Sequence, residues 1–214
     1  MTKELTRRII TSIFLFISVI FCILINEIFF ILAVLIVLFW PTLNEWININ
    51  NKNLKFSLIG FIYLCFVSFS AYYLRGDSFE DAIFFILILC ICAGSDIGGY
   101  IFGKIIGGKK LIKISPNKTV SGSMGSFFFS ILPIFIFNFQ KYINFELSLK
   151  NILFCLIVSL SCQIGDLIIS YFKRLNKVKD TGDILPGHGG FLDRIDGIIF
   201  AVPVVFILKI TQIF

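Results

Sequence analysis

Three aspartates stand where apolar runs meet polar loops: Asp166, Asp193 and Asp196, with Asp96 as a fourth. Asp166 lies inside the apolar run 151–172, seven residues before Lys173. On a helix that places it ~10 Å below the basic boundary. An ionised group at that depth faces a partner or a water-filled cavity. Asp193 and Asp196 are three apart, so they share a face of the helix expected to begin near Phe191. If the runs 151–172 and 191–213 are neighbours, Asp166 and Asp193 converge near one membrane surface. Converging carboxylate oxygens suit Mg²⁺, which binds through one or two carboxylates and keeps room for phosphates. The alternative is that these aspartates pair with Lys173, Arg174 or Arg194. Spacing alone leaves both open.

Two polar loops could complete such a site. Ser115-Pro116-Asn117-Lys118-Thr119 offers two hydroxyls, an amide and a cation in a glycine-flanked turn, which could donate to phosphate oxygens. It could equally be a solvated loop ahead of the next apolar run. Gly187-His188-Gly189-Gly190 precedes a helix start, and free N–H groups approached through glycines make an anion site. His188 is the single histidine of the chain. It could donate to phosphate or move a proton, or simply be exposed. Gly99, Gly103 and Gly107 have helical spacing after Asp96, and packing is the reading preferred for them.

Other chemistries find no support. The sequence contains no G-x-S-x-G, H-E-x-x-H or G-x-G-x-x-G. Its six cysteines form no C-x-x-C pair and lie in apolar runs, where cysteine acts as a small hydrophobe. Interleaving of basic and aromatic residues is sparse, which argues against nucleic acid.

The elements that must position these residues are membrane helices. The 214 residues are 57% hydrophobic and 15% charged, far more apolar than a soluble domain. Seven runs are candidate spans: 9–25, 28–47, 55–74, 79–93, 124–140, 151–172 and 191–213. The expected fold is therefore all-α and polytopic, a bundle of about seven transmembrane helices with short cytoplasmic re-entrant or half-helix segments. Asn26-Glu27 reads as a tight hairpin turn, and Pro41 is expected to bend the second span. Residues 1–93 form an N-terminal hydrophobic scaffold. Residues 94–214 form a catalytic membrane domain with cytoplasmic loops 94–123 and 173–190. The net charge is +6. With the N-terminus in the cytoplasm, all 19 lysines and arginines fall on the cytoplasmic side except Arg75, Lys141, Lys150 and Lys209. The first run, after Lys3, Arg7 and Arg8, lacks a small-x-small cleavage site and reads as a retained span.

Taken together the two loops resemble a known family. From Ser170 the chain reads S-x-x-K-R-x4-K-D-x5-P-G-H-G-G-x2-D-R-x-D, through Lys173, Arg174, Lys179, Asp180, His188, Asp193, Arg194 and Asp196. This resembles the signature of the bacterial phosphatidate cytidylyltransferases. Ser95-Asp96-Ile97-Gly98-Gly99-Tyr100-Ile101-Phe102-Gly103, followed by Ile114-Ser115-Pro116-Asn117-Lys118-Thr119 and Gly122, is similar to their other conserved block. The resemblance implies a multi-pass enzyme of the bacterial inner membrane, its active site facing the cytoplasm. It would join CTP and phosphatidate into CDP-diacylglycerol and pyrophosphate for phospholipid biosynthesis. Mg²⁺ is the implied cofactor, K⁺ can share the site, and a homodimer is compatible. Asp166 and Asp193 would hold the metal, with Asp196 and Asp180 near it. Lys118, Lys173, Arg174 and Arg194 would grip phosphates. Ser115, Thr119, Gly189 and Gly190 would finish the cradle, and Asp96 would support nucleotide or metal. His188 has no fixed role. The chain departs from the family in having Ser95-Asp96-Ile97-Gly98 for Ala-Asp-Thr-Gly, and Val120-Ser121-Gly122 where a bulky residue and an acid usually stand. Members also usually carry more sequence before the first block. A CTP-dependent lipid kinase and other lipid cytidylyltransferases are neighbouring readings. An ion or proton transporter is a rival of another class, because Asp96 and Asp166 are intramembrane acids.

Overall fold

The computed structural model describes residues 17–50, 53–112, 115–140, 145–184 and 189–214. The readings of Lys3, Arg7, Arg8, the start of the first span, Lys52, Lys113, Ile114, Lys141, Pro186, Gly187 and His188 lie outside the described residues.

A helical segment, α1, covers 17–25. Asn26 is extended (φ −162, ψ 150), and its side chain accepts from Ile28 N, capping α2, Glu27–Ala33. Helix continues through a π-helical turn, Val34–Phe39, into α3, Trp40–Ile49. Pro41 cannot donate to the carbonyl one turn back. The ladder widens just before it, with Trp40 N donating to Leu35 O. The expected disturbance at Pro41 thus takes the form of a π turn.

Helix α4, Leu54–Arg75, is capped by Asn53 and ends at Gly76, whose φ of +54 suits glycine. Helix α5 spans Phe79–Ile105. Strands β1, Lys110–Ile112, and β2, Ser115–Thr119, pair antiparallel. Helix α6 is Val120–Gln140, α7 is Leu149–Leu175, α8 is Leu192–Ile195 and α9 is Ile198–Ile210. Five described helices are long and apolar enough to cross a membrane: Glu27–Ile49, Leu54–Arg75, Phe79–Ile105, Val120–Asn138 and Leu149–Leu175. The protein is an all-α polytopic membrane protein with one small β ribbon among the described residues.

Three boundaries differ from expectation. The span expected at 79–93 runs on to Ile105, so Asp96 is inside a helix and not at its end. Its glycines do not break the helix because they pack against α6. Further along, Lys110–Ile112 pairs antiparallel with Ser115–Thr119, a strand where a turn was expected, and α6 begins at Val120. The span expected at 191–213 breaks at Asp196-Gly197. Asp193 and Asp196 therefore do not share one helix face. At 1.5 Å per residue α9 covers ~20 Å, less than a ~30 Å hydrocarbon core.

The chain forms two units, and each has its own core. The first comprises the residues up to Ala82 together with Phe172–Ile195. The second comprises Ile83–Tyr171 and Asp196–Phe214. In the first unit, Trp46 lies on α4 at Gly60, where a Cβ would fall 2.0 Å from the indole nitrogen. That nitrogen donates to Phe56 O at 2.8 Å, and the ring meets Phe172 edge-on with centroids 4.8 Å apart. Buried Arg75 donates to Ile23 O, tying the end of α4 to α1.

In the second unit α5 and α6 meet along glycines. A Cβ at Gly98 would fall 2.2 Å from Gly125 O, and one at Gly122 would fall 2.9 Å from Gly99 O. Small residues let membrane helices approach this closely. The packing role expected of Gly99 and Gly103 fits this seam, but Gly107 does not belong to it. It follows the helix with φ +62 and has no neighbour within 4 Å of a Cβ. A polar ladder joins three helices: Ser95 Oγ to Ser159 Oγ at 2.8 Å, Gln163 Nε2 to Ser159 Oγ at 3.3 Å, and Ser123 Oγ to Gln163 Oε1 at 2.5 Å. Gly98→Ala is expected to lower the melting temperature of the purified protein in detergent, by overpacking worth about 1–3 kcal/mol. Gly107→Asn, at an open left-handed position, should melt close to the wild type. Equal melting of Gly98→Ala and wild type would refute the seam.

Candidate active site

In the second unit the site residues come from β2, α5, α7 and the approach to α9. Lys118 on β2 reaches Asp166 on α7, Nζ to Oδ2 2.5 Å. The other carboxylate oxygen of Asp166 accepts from Ser170 Oγ at 3.3 Å. Asp96 is exposed on α5, with Asp166 and Lys118 as its charged neighbours. The structure thus gathers Asp96, Lys118 and Asp166. It assigns Asp166 a lysine 48 residues upstream, which was not among the partners expected from spacing. Gly165 explains how the chain before α9 comes against α7. A Cβ there would lie 2.6 Å from Asp196 O, and a Cβ at Gly197 would lie 3.2 Å from Cys162 Cβ. Asp196 also accepts from Gly197 N through its own side chain at 2.9 Å.

The hydroxyl of Thr119 is taken up locally. Gly122 N donates to Thr119 Oγ1 at 3.1 Å, and Ser121 Oγ stands 3.0 Å away. Thr119 therefore caps α6. Ser115 is half-buried on the same strand, while the side chain of Asn117 lies outside the description.

In the first unit the polar segment folds around Asp193. Lys173 Nζ contacts Asp193 Oδ1 at 2.6 Å, and both side chains are only 12% exposed. Asp193 Oδ2 accepts from Thr181 N at 2.8 Å, Thr181 Oγ1 at 3.1 Å and Gly190 N at 3.3 Å. Burial by itself opposes ionisation here. The Lys173 ammonium and the Thr181 donors outweigh it and hold the carboxyl below its ordinary 3.8. Asp193 is thus a carboxylate at neutral pH. Gly189 has φ +81, a conformation that favours glycine, and a Cβ there would lie 3.7 Å from Asp180. Gly190 is closed in more tightly: a Cβ would fall 1.9 Å from Thr181 Oγ1 and 2.6 Å from Gly182 N. Arg174, Asp180 and Arg194 are exposed around this core. His188 lies outside the described residues.

Asp166 and Asp193, paired in the expectation from sequence, fall in different units, each with its own lysine. The pairing of Asp193 with Lys173 was one of the alternatives left open by spacing. Two participants were not expected from the sequence. Thr181 N donates to Asp193 Oδ2, and the single hydroxyl proton of Thr181 faces both Glu45 Oε2 of α3 at 2.7 Å and Asp193 Oδ2 at 3.1 Å. Thr181 carried a usable signal, since it follows Lys179-Asp180 inside the signature. Glu45 carried none, because its partners lie 136 to 147 residues away.

Among the described residues no three His, Cys, Asp or Glu side chains group as a metal site. The carboxylate oxygens are of the hard type that Mg²⁺ takes. Asp166 and Asp193 each present a hard oxygen to a lysine cation, the kind of group a divalent ion can replace.

Lysine-paired carboxylates thus stand at the polar segments of a multi-pass helical fold. The chain belongs to the cytidylyltransferase family, whose profile matches residues 51–211. It is 35% identical over 214 residues to the phosphatidate cytidylyltransferase of Rickettsia bellii (strain RML369-C), covering 97% of this chain and 91% of that protein. The enzyme of the same name from Rickettsia typhi is 36% identical over 191 residues, covering 86% and 82%. That from Staphylococcus saprophyticus is 41% identical over 154 residues, 71% of this chain but 55% of that longer protein.

Proposed function

We propose that this chain transfers CMP from CTP to phosphatidate, giving CDP-diacylglycerol and pyrophosphate, in a bacterial inner membrane with the site facing the cytoplasm. The observation that carries the reading is the pair of lysine–carboxylate contacts, Lys118–Asp166 and Lys173–Asp193, in which Lys118, Lys173 and Asp193 belong to the two family blocks. The similarity to phosphatidate cytidylyltransferases supports the substrates.

A phosphate oxygen of phosphatidate attacks the α-phosphorus of CTP. The new P–O bond forms as the bond from the α-phosphorus to the bridging oxygen breaks, and pyrophosphate carries that oxygen away. Such a transfer asks the protein mainly for position and charge neutralisation. Lys118 and Lys173 supply fixed positive charge, each restrained by its carboxylate. Arg174 and Arg194 are exposed and offer forked donors to phosphate oxygens. Gly189 would let a phosphate approach the backbone, while the N–H of buried Gly190 holds Asp193 in place. Asp166 in the second unit and Asp193 in the first would each offer a hard oxygen to Mg²⁺, which when bound neutralises triphosphate charge. Asp96 and Asp196 lie on the side of Asp166, and Asp180 on that of Asp193. The exposed apolar faces of the spans accommodate the acyl chains.

Purified protein given CTP labelled at the α-phosphorus, Mg²⁺ and phosphatidate is expected to move label into organic-soluble lipid, and EDTA should stop the transfer. Label that stays in the aqueous phase with active controls contradicts the reading.

A further inference from the structure

Glu45 stands in α3 next to Trp46 and is 3% exposed. Its carboxylate accepts three hydrogen bonds. Phe191 N donates to Oε1 at 2.8 Å, while Leu192 N and Thr181 Oγ1 donate to Oε2 at 2.8 and 2.7 Å. Two of these donors are backbone N–H groups at the entry to α8. The third is the hydroxyl that also stands 3.1 Å from Asp193 Oδ2.

The surrounding backbone is shaped around this carboxylate. A Cβ at Gly182 would fall 2.7 Å from Glu45 Oε1, and one at Gly190 would fall 2.7 Å from Oε2. Both positions need glycine for the acid to pass between them. Among the described residues no lysine or arginine pairs with Glu45. Burying a carboxylate on neutral donors alone is costly, and a hydrocarbon side chain would sit in an apolar helix more cheaply. What the carboxylate supplies is acceptor capacity at both oxygens. A glutamine has one acceptor oxygen and turns an N–H₂ toward the remaining donors.

We propose that Glu45 is a positioning residue for the transfer reaction: it clamps Thr181 to the start of α8 and thereby sets where Asp193 holds Lys173. The proposal rests on the function given above. It extends the working site to an acid outside both family blocks, in a helix otherwise assigned to scaffold.

The test uses the full-length purified enzyme. Glu45→Gln is expected to lower kcat for lipid-nucleotide formation by ~10–100-fold, the range for residues that orient a ligand-bearing group. KM for phosphatidate should change by less than about three-fold, because ground-state lipid contacts are untouched. Glu45→Asp, which keeps the carboxylate, should recover part of the loss. The double variant Glu45→Gln/Thr181→Val should be no slower than the slower single variant, since both act through one linkage. Additive losses, a Glu45→Asp no better than Glu45→Gln, or a wild-type kcat in Glu45→Gln overturns the proposal. If Glu45→Gln does not accumulate as folded protein, Thr181→Val decides alone: a loss of ~10-fold in kcat supports the clamp, and an unchanged kcat refutes it. A wild-type enzyme that makes no lipid nucleotide removes the function, and the proposal with it. An active wild type beside an unaffected Glu45→Gln removes the proposal only.

Discussion

Asp193→Asn is expected to cut lipid-nucleotide formation by ~10²–10³-fold, the scale of losing one charge-stabilising contact in a transition state. The carboxylate does two jobs at once. Oδ1 neutralises Lys173 at 2.6 Å, and Oδ2 gathers Thr181 N, Thr181 Oγ1 and Gly190 N. Asparagine has one oxygen and one N–H₂. If the oxygen faces Lys173, the amide hydrogens face the Thr181 and Gly190 donors. If it turns, they face the ammonium. Either way buried donors lose an acceptor, at about 1–3 kcal/mol each. Each 1.36 kcal/mol lost from the transition state is about a tenfold loss of rate. Steady-state rates measured beside circular dichroism decide the matter. The helical signal should be unchanged while activity collapses. Activity within a few-fold of wild type would remove Asp193 from the working set.

Gly190→Ala should abolish measurable transfer while the membrane helices stay folded. The added methyl would sit 1.9 Å from Thr181 Oγ1, 2.6 Å from Gly182 N and 2.7 Å from Glu45 Oε2. Two of these obstacles are a backbone atom and a doubly used hydroxyl, so neither can turn aside. The segment must open, and its opening separates Asp193 from Thr181 and Glu45 from the start of α8. Overpacking of this kind costs about 1–3 kcal/mol or more, and here it falls on one polar segment. Limited trypsin digestion checks it, because Lys177 and Lys179 flank that segment. Faster cleavage there with intact membrane helices is the expected pattern. A fully active Gly190→Ala would show that the segment does not pack as described.

Much of this was legible in the sequence, for identifiable physical reasons. Apolar runs report spans because lipid tolerates nothing else, and helices over 54–75 and 149–175 fall close to the runs expected there. Asp166 and Asp193 stand out because charge is rare in such runs. Three features were not legible. Hydropathy sums side chains and ignores the backbone, so the break at Asp196-Gly197 passed as one span. The segment 94–123 reads as a loop, which hides the continuation of α5, although the helical spacing of Gly99 and Gly103 points to the close approach of α6. Glu45, a lone acid near the end of an apolar run, has the look of a boundary residue. Its role depends on Thr181, Phe191 and Leu192, and no local pattern reports partners so far along the chain.

The central claim is that the chain moves CMP, and not phosphate, from CTP to phosphatidate. The most direct measurement supplies the purified protein with phosphatidate and CTP carrying distinguishable labels at the α- and γ-phosphorus. The account predicts α-label in the lipid and γ-label in released pyrophosphate, in equal amounts. Gamma-label in the lipid with CDP released, or no labelled lipid at all, would contradict it.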